Sequence, residues 1–248
     1  VASKPEFLPE GDAVDKSRKP DRVVVGCDTE ADCSILRRIY SQFVNHVRIG
    51  YIETTPETSE AIKYVANTLL LTYISFWNGV GARLGETFPN IRMEDLKRGV
   101  TSDNRISTWG SYVSNGAGGS CFGKDIQSLI HQFKSAGMSA NLLESVYEIN
   151  EYQKTYLIDR AIQEGNASFN HKTVALLALS FKQRTNDMRD SSSLKVVESL
   201  LARGVKEIRA YDPLAIEEAK RYFNPQNNHL FEKITYHNSV KAALQGSD

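Results

Sequence analysis

The sequence predicts an α/β fold in which two strand-and-helix regions flank an all-helical middle third. Three features carry that prediction: the β-branched run Arg22-Val23-Val24-Val25-Gly26, a long helical periodicity beyond Pro56, and the continuous apolar run Thr173-Val174-Ala175-Leu176-Leu177-Ala178-Leu179. At 248 residues the chain exceeds the usual single-domain size, so more than one core is expected. With 41% apolar residues and 30 basic against 30 acidic side chains, it reads as an ordinary globular protein. It has no electrostatic bias toward nucleic acid or an anionic membrane surface.

The elements follow in order. After the strand at 22–26, Ile35, Leu36, Ile39, Phe43 and Val47 fall at helical spacing, so a helix is expected over 30–46 and a further strand over 47–52. Thr58 or Ser59 is then a possible helix cap, and Ile62, Val65, Leu69, Tyr73, Phe76, Val80 and Leu84 form one apolar stripe. A single helix over 59–85 would be about 40 Å long at ~1.5 Å per residue, enough to join two domains. Helices are also expected over 93–100, 125–135 and 141–163, the last with Leu143, Val146, Ile149, Tyr152, Tyr156 and Ile158 broadly on one side.

The run at 173–179 suits a strand buried on both faces. It is followed by a helix over 193–203, a strand over 207–211 closed by Asp212-Pro213, a helix over 216–223, a strand over 234–237 and a helix over 240–248. This alternation is the beginning of a doubly wound sheet. The first 50 residues read as the tail of an α/β unit and the last 80 as the start of one. Both ends therefore look cut.

Cys27, Cys33 and Cys121 are odd in number and irregularly spaced, which argues against a disulfide framework and for a reducing compartment. No CxxC pair or His/Cys cluster suggests a metal, and the five histidines are scattered. There is no basic-then-apolar leader and no run of 18 apolar residues, so the expected location is cytoplasmic.

The densest chemistry lies in Gly116-Ala117-Gly118-Gly119-Ser120-Cys121-Phe122-Gly123-Lys124-Asp125. A dinucleotide cradle should follow a strand, and the residues before this loop do not read as one. What the loop offers is a thiol just ahead of a helix N-terminus, where free N–H groups, the dipole and Lys124 favour a thiolate. A buried structural cysteine is the competing reading. Lys63 and Asn67, four apart on the long helix, project from one face, which is equally a solvated one. Glu6 and Glu10 are also four apart and would equally suit a surface turn. Lys182 stands just beyond the apolar strand, at the carboxyl end where open α/β sheets bind ligands.

Taken together, these segments resemble the UDP-glucose/GDP-mannose dehydrogenase family. Its NPEFLxEG segment is matched by Lys4-Pro5-Glu6-Phe7-Leu8-Pro9-Glu10-Gly11, its PDRVxxG by residues 20–26, and its KxxxN by Lys63 to Asn67. Its DxRIG resembles Asp103-Asn104-Arg105-Ile106, its GxGGSCFxKD runs from Gly116 to Asp125, its AFKxxTxDxR from Ser180 to Arg189, and its YDP is Tyr211-Asp212-Pro213. These blocks span nearly the whole chain in the family's order, and the cysteine block is the most specific.

The resemblance implies three segments: 1–55, the end of an NAD-binding Rossmann-like sheet; 56–168, a central helical dimerisation domain on a long helix; and 169–248, the start of a second Rossmann-like sheet that binds a nucleotide sugar. It implies that most of the NAD domain and the end of the third domain lie outside this chain. The implied reaction is NAD-dependent oxidation of the C6 alcohol of UDP-glucose to the acid, through a thiohemiacetal and a thioester on Cys121. Lys63 and Asn67 would stabilise the oxyanion, Asp125 would relay a proton and Glu6 would assist hydrolysis. Phe7, Leu8, Glu10, Gly116, Gly118, Phe122 and Lys182 would hold the nucleotide sugar, and Lys182, Cys121 and Glu6 would also border NAD. Arg105 would reach the substrate of a second subunit, which implies a homodimer.

GDP-mannose and UDP-hexosamines are the alternative substrates. A non-catalytic dimerisation and nucleotide-sugar-binding module is the alternative for the chain by itself. Lys4, Ala117, Gly110, Ser107, Ala178 and Ser180 depart from the family pattern. The loss of an aromatic at Ala117 and Gly110 bears on which sugar and base are selected.

Overall fold

The computed structural model describes residues 1–248, which divide into two compact units, 1–69 and 70–248. In the first unit a three-stranded sheet is built from β1 (Ala2–Ser3), β2 (Arg22–Cys27) and β3 (Gly50–Thr54), in that order. β1 runs antiparallel to β2, and β2 runs parallel to β3 with Val24 opposite Ile52. Val23, Val25 and Phe43 form the core of this unit. A short helix α1 (Ala13–Arg18), which the apolar pattern does not predict, precedes β2.

The expected helix over 30–46 is broken at Tyr40 into α2 (Glu30–Ile39) and α3 (Ser41–Val44). Thr29 caps α2 by accepting the Asp32 N–H. The cysteine expectation is corrected here: Cys27 and Cys33 are disulfide-bonded, with Cα atoms 5.6 Å apart. The strand ends at Cys27 and the next helix places Cys33 in its first turn, so six residues of separation fold back on themselves.

The long helix starts earlier than its periodicity suggests, because Pro56 occupies its first turn and Thr55 Oγ1 accepts the Thr58 N–H, the cap expected of Thr58 or Ser59. It runs as α4 (Pro56–Phe76), passes through one π-helical turn (Trp77–Gly81) and continues as α5 (Ala82–Thr87). Gly79 faces Ile149 and Gly81 faces the Trp77 ring, so small residues let the widened turn pack closely.

The rest of the second unit comprises α6 (Met93–Val100), α7 (Phe122–Ser135), α8 (Asn141–Gly165) and a parallel sheet with its helices. The sheet has β4 (Thr173–Leu177), β5 (Glu207–Tyr211) and β6 (Ile234–Tyr236) in sequential order. α9 (Ser192–Ala202), α10 (Ile216–Tyr222) and α11 (Val240–Leu244) complete it. Its core joins Leu179, Met188, Val197, Leu200, Val205 and Ile208. β4 stops two residues short of its expected end because Asp212 captures Leu179 and Ser180 in a turn. A smaller core of Leu71, Ile126 and Val146 supports the glycine-rich loop.

The apolar side read for α8 is only partly its buried face. Val146 and Ile158 are buried, but Tyr152 is exposed, and Asn150, Gln153 and Lys154 take the inward positions. No helix is long and apolar enough to cross a membrane.

Candidate active site

Within the first unit, Glu6 and Lys63 are brought together across 57 residues: Lys63 Nζ donates to Glu6 Oε1 at 2.9 Å, and the Leu8 N–H donates to Glu6 Oε2 at 2.7 Å. Burial pushes the Glu6 carboxyl up, but the Leu8 N–H and the Lys63 ammonium outweigh it and hold the group below the usual glutamate range. The carboxylate is thus ionised at neutral pH and the lysine has a fixed counter-charge. Asn67 lies one helical turn beyond Lys63 and is half-buried, as is Lys63. The Phe7 ring is covered by the Arg22 guanidinium at 4.1 Å, while Leu8 and Glu10 are exposed.

In the second unit, Cys121 is the free thiol, exposed, at the N-cap of α7. The reading of a buried structural cysteine is therefore set aside. Its Sγ lies 3.7 Å from Ser120 Oγ, and its carbonyl accepts the Asp125 N–H at 2.9 Å. Asp125 is buried and paired with Lys124 Nζ at 2.8 Å, whereas Phe122 packs onto the Leu71–Ile126–Val146 core.

The loop before Cys121 is held at nearly every residue. The Ser114 N–H donates to Asn78 Oδ1 at 2.8 Å, with Asn78 itself fully buried in the π-helical turn. Gly116 has φ +81°, and a Cβ there would come within 2.8 Å of the Asn150 carbonyl oxygen. A Cβ on Gly118 would overlap the carbonyl oxygen of Asp190. Phe181, next to Lys182, lies against Gly118 and Gly119, so the turn beyond β4 is packed directly on the cysteine loop. The Lys182 ammonium sits 5.4 Å from the centre of the Phe181 ring. An open cleft of about 390 Å³ alongside is lined by Gly119, Ser120, Lys124, Gln127, Tyr147 and Asp190.

Asp212 sets the geometry of the Lys182 turn. Its Oδ2 accepts the Leu179 and Ser180 N–H groups at 2.8 and 3.2 Å, and its Oδ1 those of Leu214 and Ala215, both at 2.8 Å. Burial pushes this carboxyl up, but the four backbone donors prevail and hold it below the usual aspartate range. Arg105 is exposed and forked onto Asp103 at 2.6 to 3.2 Å.

Asn78, Asn150, Gln153, Lys154, Asp190 and the bonding of Asp212 are not read from the sequence, because their periodicity is that of ordinary polar positions. The one available signal is Asn150-x-x-Gln153-Lys154, a polar triplet on the face where an apolar one would be expected.

An exposed thiol on a braced glycine loop, packed through Phe181 against the turn at the carboxyl end of a parallel strand, defines a class: an α/β protein with helices around parallel sheets. Comparison with known proteins narrows it. Three models of the UDP-glucose/GDP-mannose dehydrogenase family match in chain order: the NAD binding domain at 1–44, the central domain at 57–152 and the UDP binding domain at 175–248. The UDP-glucose 6-dehydrogenase of Pseudomonas aeruginosa is 39% identical over 250 residues, covering 100% of this chain and 53% of the relative. A UDP-glucose 6-dehydrogenase of Bacillus subtilis is 34% identical, covering 100% and 50%. A structure of a UDP-glucose dehydrogenase from the hyperthermophilic archaeon Pyrobaculum islandicum superposes with a TM-score of 0.88 at 32% identity, covering 100% of this chain and 54% of that one.

The chain belongs to the UDP-glucose/GDP-mannose dehydrogenase family. It spans about half the length of the curated relatives it matches.

Proposed function

We propose that the full-length protein carrying this chain oxidises the C6 alcohol of UDP-glucose to UDP-glucuronate in two steps, with Cys121 as the nucleophile. The observation that carries this reading is the exposed free thiol of Cys121 at the N-cap of α7, on a glycine loop that matches the family's GxGGSCFxKD block.

NAD, when bound, supplies the hydride acceptor for each oxidation. The first turn of α2, with Glu30 and Asp32, is acidic and is not itself a pyrophosphate cradle. This chain's own residues supply the covalent chemistry. The Cys121 sulfur forms a bond to the aldehyde carbon, giving a thiohemiacetal. After the second oxidation the carbon is held as a thioester, and water cleaves the carbon–sulfur bond to leave the carboxylate and a free thiol.

By motif, Lys63 and Asn67 stabilise the oxyanion, and Asp125, buried one turn from the thiol, relays the proton. Glu6 is held as a carboxylate, the form that can orient or deprotonate the hydrolytic water. Lys182 and the Gly116–Gly118 backbone receive the nucleotide sugar. A homodimer is part of the proposal, and exposed Phe76, Val80, Leu142 and Leu157 in the helical region supply apolar surface for it.

The test is turnover of the full-length protein on UDP-glucose, GDP-mannose and UDP-hexosamines, with NADH counted per sugar. Two NADH per UDP-glucose are expected, and none from Cys121→Ser carried to the acid. Absence of UDP-glucose turnover beside turnover of GDP-mannose or a UDP-hexosamine would assign the alternative substrate. For the chain alone, the acidic β2–α2 turn favours a second reading, a module that binds UDP-glucose without binding NAD. Calorimetric titration with each separates the two, and tight NAD binding by this chain would overturn it.

A further inference from the structure

Three polar side chains on α8 are among the most deeply buried in the protein. Asn150, Gln153 and Lys154 are 1%, 2% and 1% exposed, and at spacings of three and four they share a helix face. Burying amides and an ammonium costs stability unless each finds a partner. Each finds one in the cysteine loop or in the turn on which that loop rests.

Asn150 clasps Ala117 from both sides, accepting its N–H at 2.7 Å and donating to its carbonyl at 3.0 Å. Gln153 donates to the Ser114 carbonyl at 2.8 Å. Lys154 reaches Asp190 Oδ1 at 2.5 Å and Glu151 Oε1 at 2.6 Å, its side chain wholly excluded from solvent. Asp190 is the residue against which Gly118 packs, and the neighbouring Arg189 carbonyl accepts the Gly119 N–H at 2.8 Å. Asp190 also has φ +54°, a conformation that a non-glycine residue keeps only when its surroundings enforce it.

A buried ion pair contributes little net stability compared with a wholly apolar replacement of the same volume, so stability alone does not account for an ammonium at this position. What methionine cannot do is hold Asp190. We propose that Lys154 is a positioning residue for Cys121: clamped from within α8, its ammonium fixes the Arg189–Asp190 turn, and that turn seats Gly118 and Gly119, three and two residues before the thiol. The inference rests on the reading of Cys121 as the nucleophile. The Lys182 turn is part of the same assembly, because Phe181 packs on the glycines that Asp190 supports.

The experiment uses the full-length enzyme with Lys154→Met, Lys154→Arg, Asp190→Asn and Cys121→Ser, measuring kcat, KM for UDP-glucose, melting temperature and the rate of Cys121 alkylation by iodoacetamide. Misplacement of a reacting group by about 1 Å can cost roughly 100-fold, so Lys154→Met should lower kcat by about 10- to 100-fold. KM should change less than about threefold; melting temperature should fall, by less than for a fully buried pair because Asp190 and Glu151 are about a third exposed and regain water, and Lys154→Arg should recover most of kcat. Asp190→Asn attacks the same pair from the loop side, leaves Lys154 its Glu151 partner, and should reproduce the loss if Lys154→Met does not fold. Wild-type kcat and alkylation rate in the methionine and asparagine variants, beside an inactive Cys121→Ser, would overturn the positioning role alone. Undiminished turnover by Cys121→Ser would instead overturn the nucleophile reading and this inference with it.

Discussion

Replacing Asp212 by asparagine should loosen the turn that carries Lys182, by an amount that follows from its hydrogen bonds. The carboxylate is 3% exposed and serves two pairs of backbone donors, Leu179 and Ser180 on one oxygen, Leu214 and Ala215 on the other. An asparagine keeps one acceptor oxygen, so either orientation turns an NH₂ group toward one buried and one partly buried N–H group. At about 1 to 3 kcal/mol for the unsatisfied buried donor and less for the partly buried one, the loss is about 2 to 5 kcal/mol near neutral pH. The sign with pH is fixed by the depressed carboxyl. Its contribution is complete above the unfolded aspartate value of about 3.9 and is lost as pH falls through the lower folded value. The gap between wild type and Asp212→Asn should therefore be full at pH 7 and close progressively below about pH 4. Urea unfolding at a series of pH values measures that gap, and amide exchange at Leu179, Ser180, Leu214 and Ala215 reports where it arises. A change under about 0.5 kcal/mol, or unaltered protection of those four amides, would refute the reasoning.

Ala178 has φ +74° in this turn, a left-handed conformation costing about 1 to 2 kcal/mol for a residue with a Cβ, so Ala178→Gly should stabilise by a net ~0.5 to 1 kcal/mol after the unfolded-state entropy of glycine. A lower melting temperature for that variant would contradict the backbone assignment. The Cys27–Cys33 disulfide closes a six-residue separation, for which loop-closure entropy gives about 2 kcal/mol. Thiol titration in denaturant should count one reactive cysteine before reduction and three after it, and a count of three beforehand would remove the disulfide. Glu6→Gln should cost less than about 1 kcal/mol, because the carboxylate is half exposed, and should abolish a stability contribution present above about pH 4.3 that wild type loses as pH falls through the depressed Glu6 value. Chemical unfolding from pH 3 to 7 checks this, and parallel curves for the two proteins would count against it.

Much of the architecture is legible from local pattern. A β-branched run places β2, and 3.6-residue apolar periods place α4 and α8, because burial leaves its mark in the residues themselves. The errors fall where a tertiary partner decides: α2 breaks at Tyr40, the long helix takes a π-helical turn where Gly79 and Gly81 meet Ile149 and Trp77, and β4 ends early on Asp212. Cys27 and Cys33 looked irregular in sequence because their pairing depends on a strand-to-helix turn.

By itself the sequence determined the family and the chemical groups on offer: a thiol at a helix start, a lysine and amide four apart, a lysine beyond a buried strand. Those are properties of spacing, and spacing is local. Only the tertiary structure decided that Glu6 neutralises Lys63, that Cys121 is exposed while Asp125 is buried, and that α8 turns amides and an ammonium inward to hold the cysteine loop. The physical reason is that a polar residue's role depends on the partner that offsets its desolvation, and for Lys154 that partner, Asp190, lies 36 residues away.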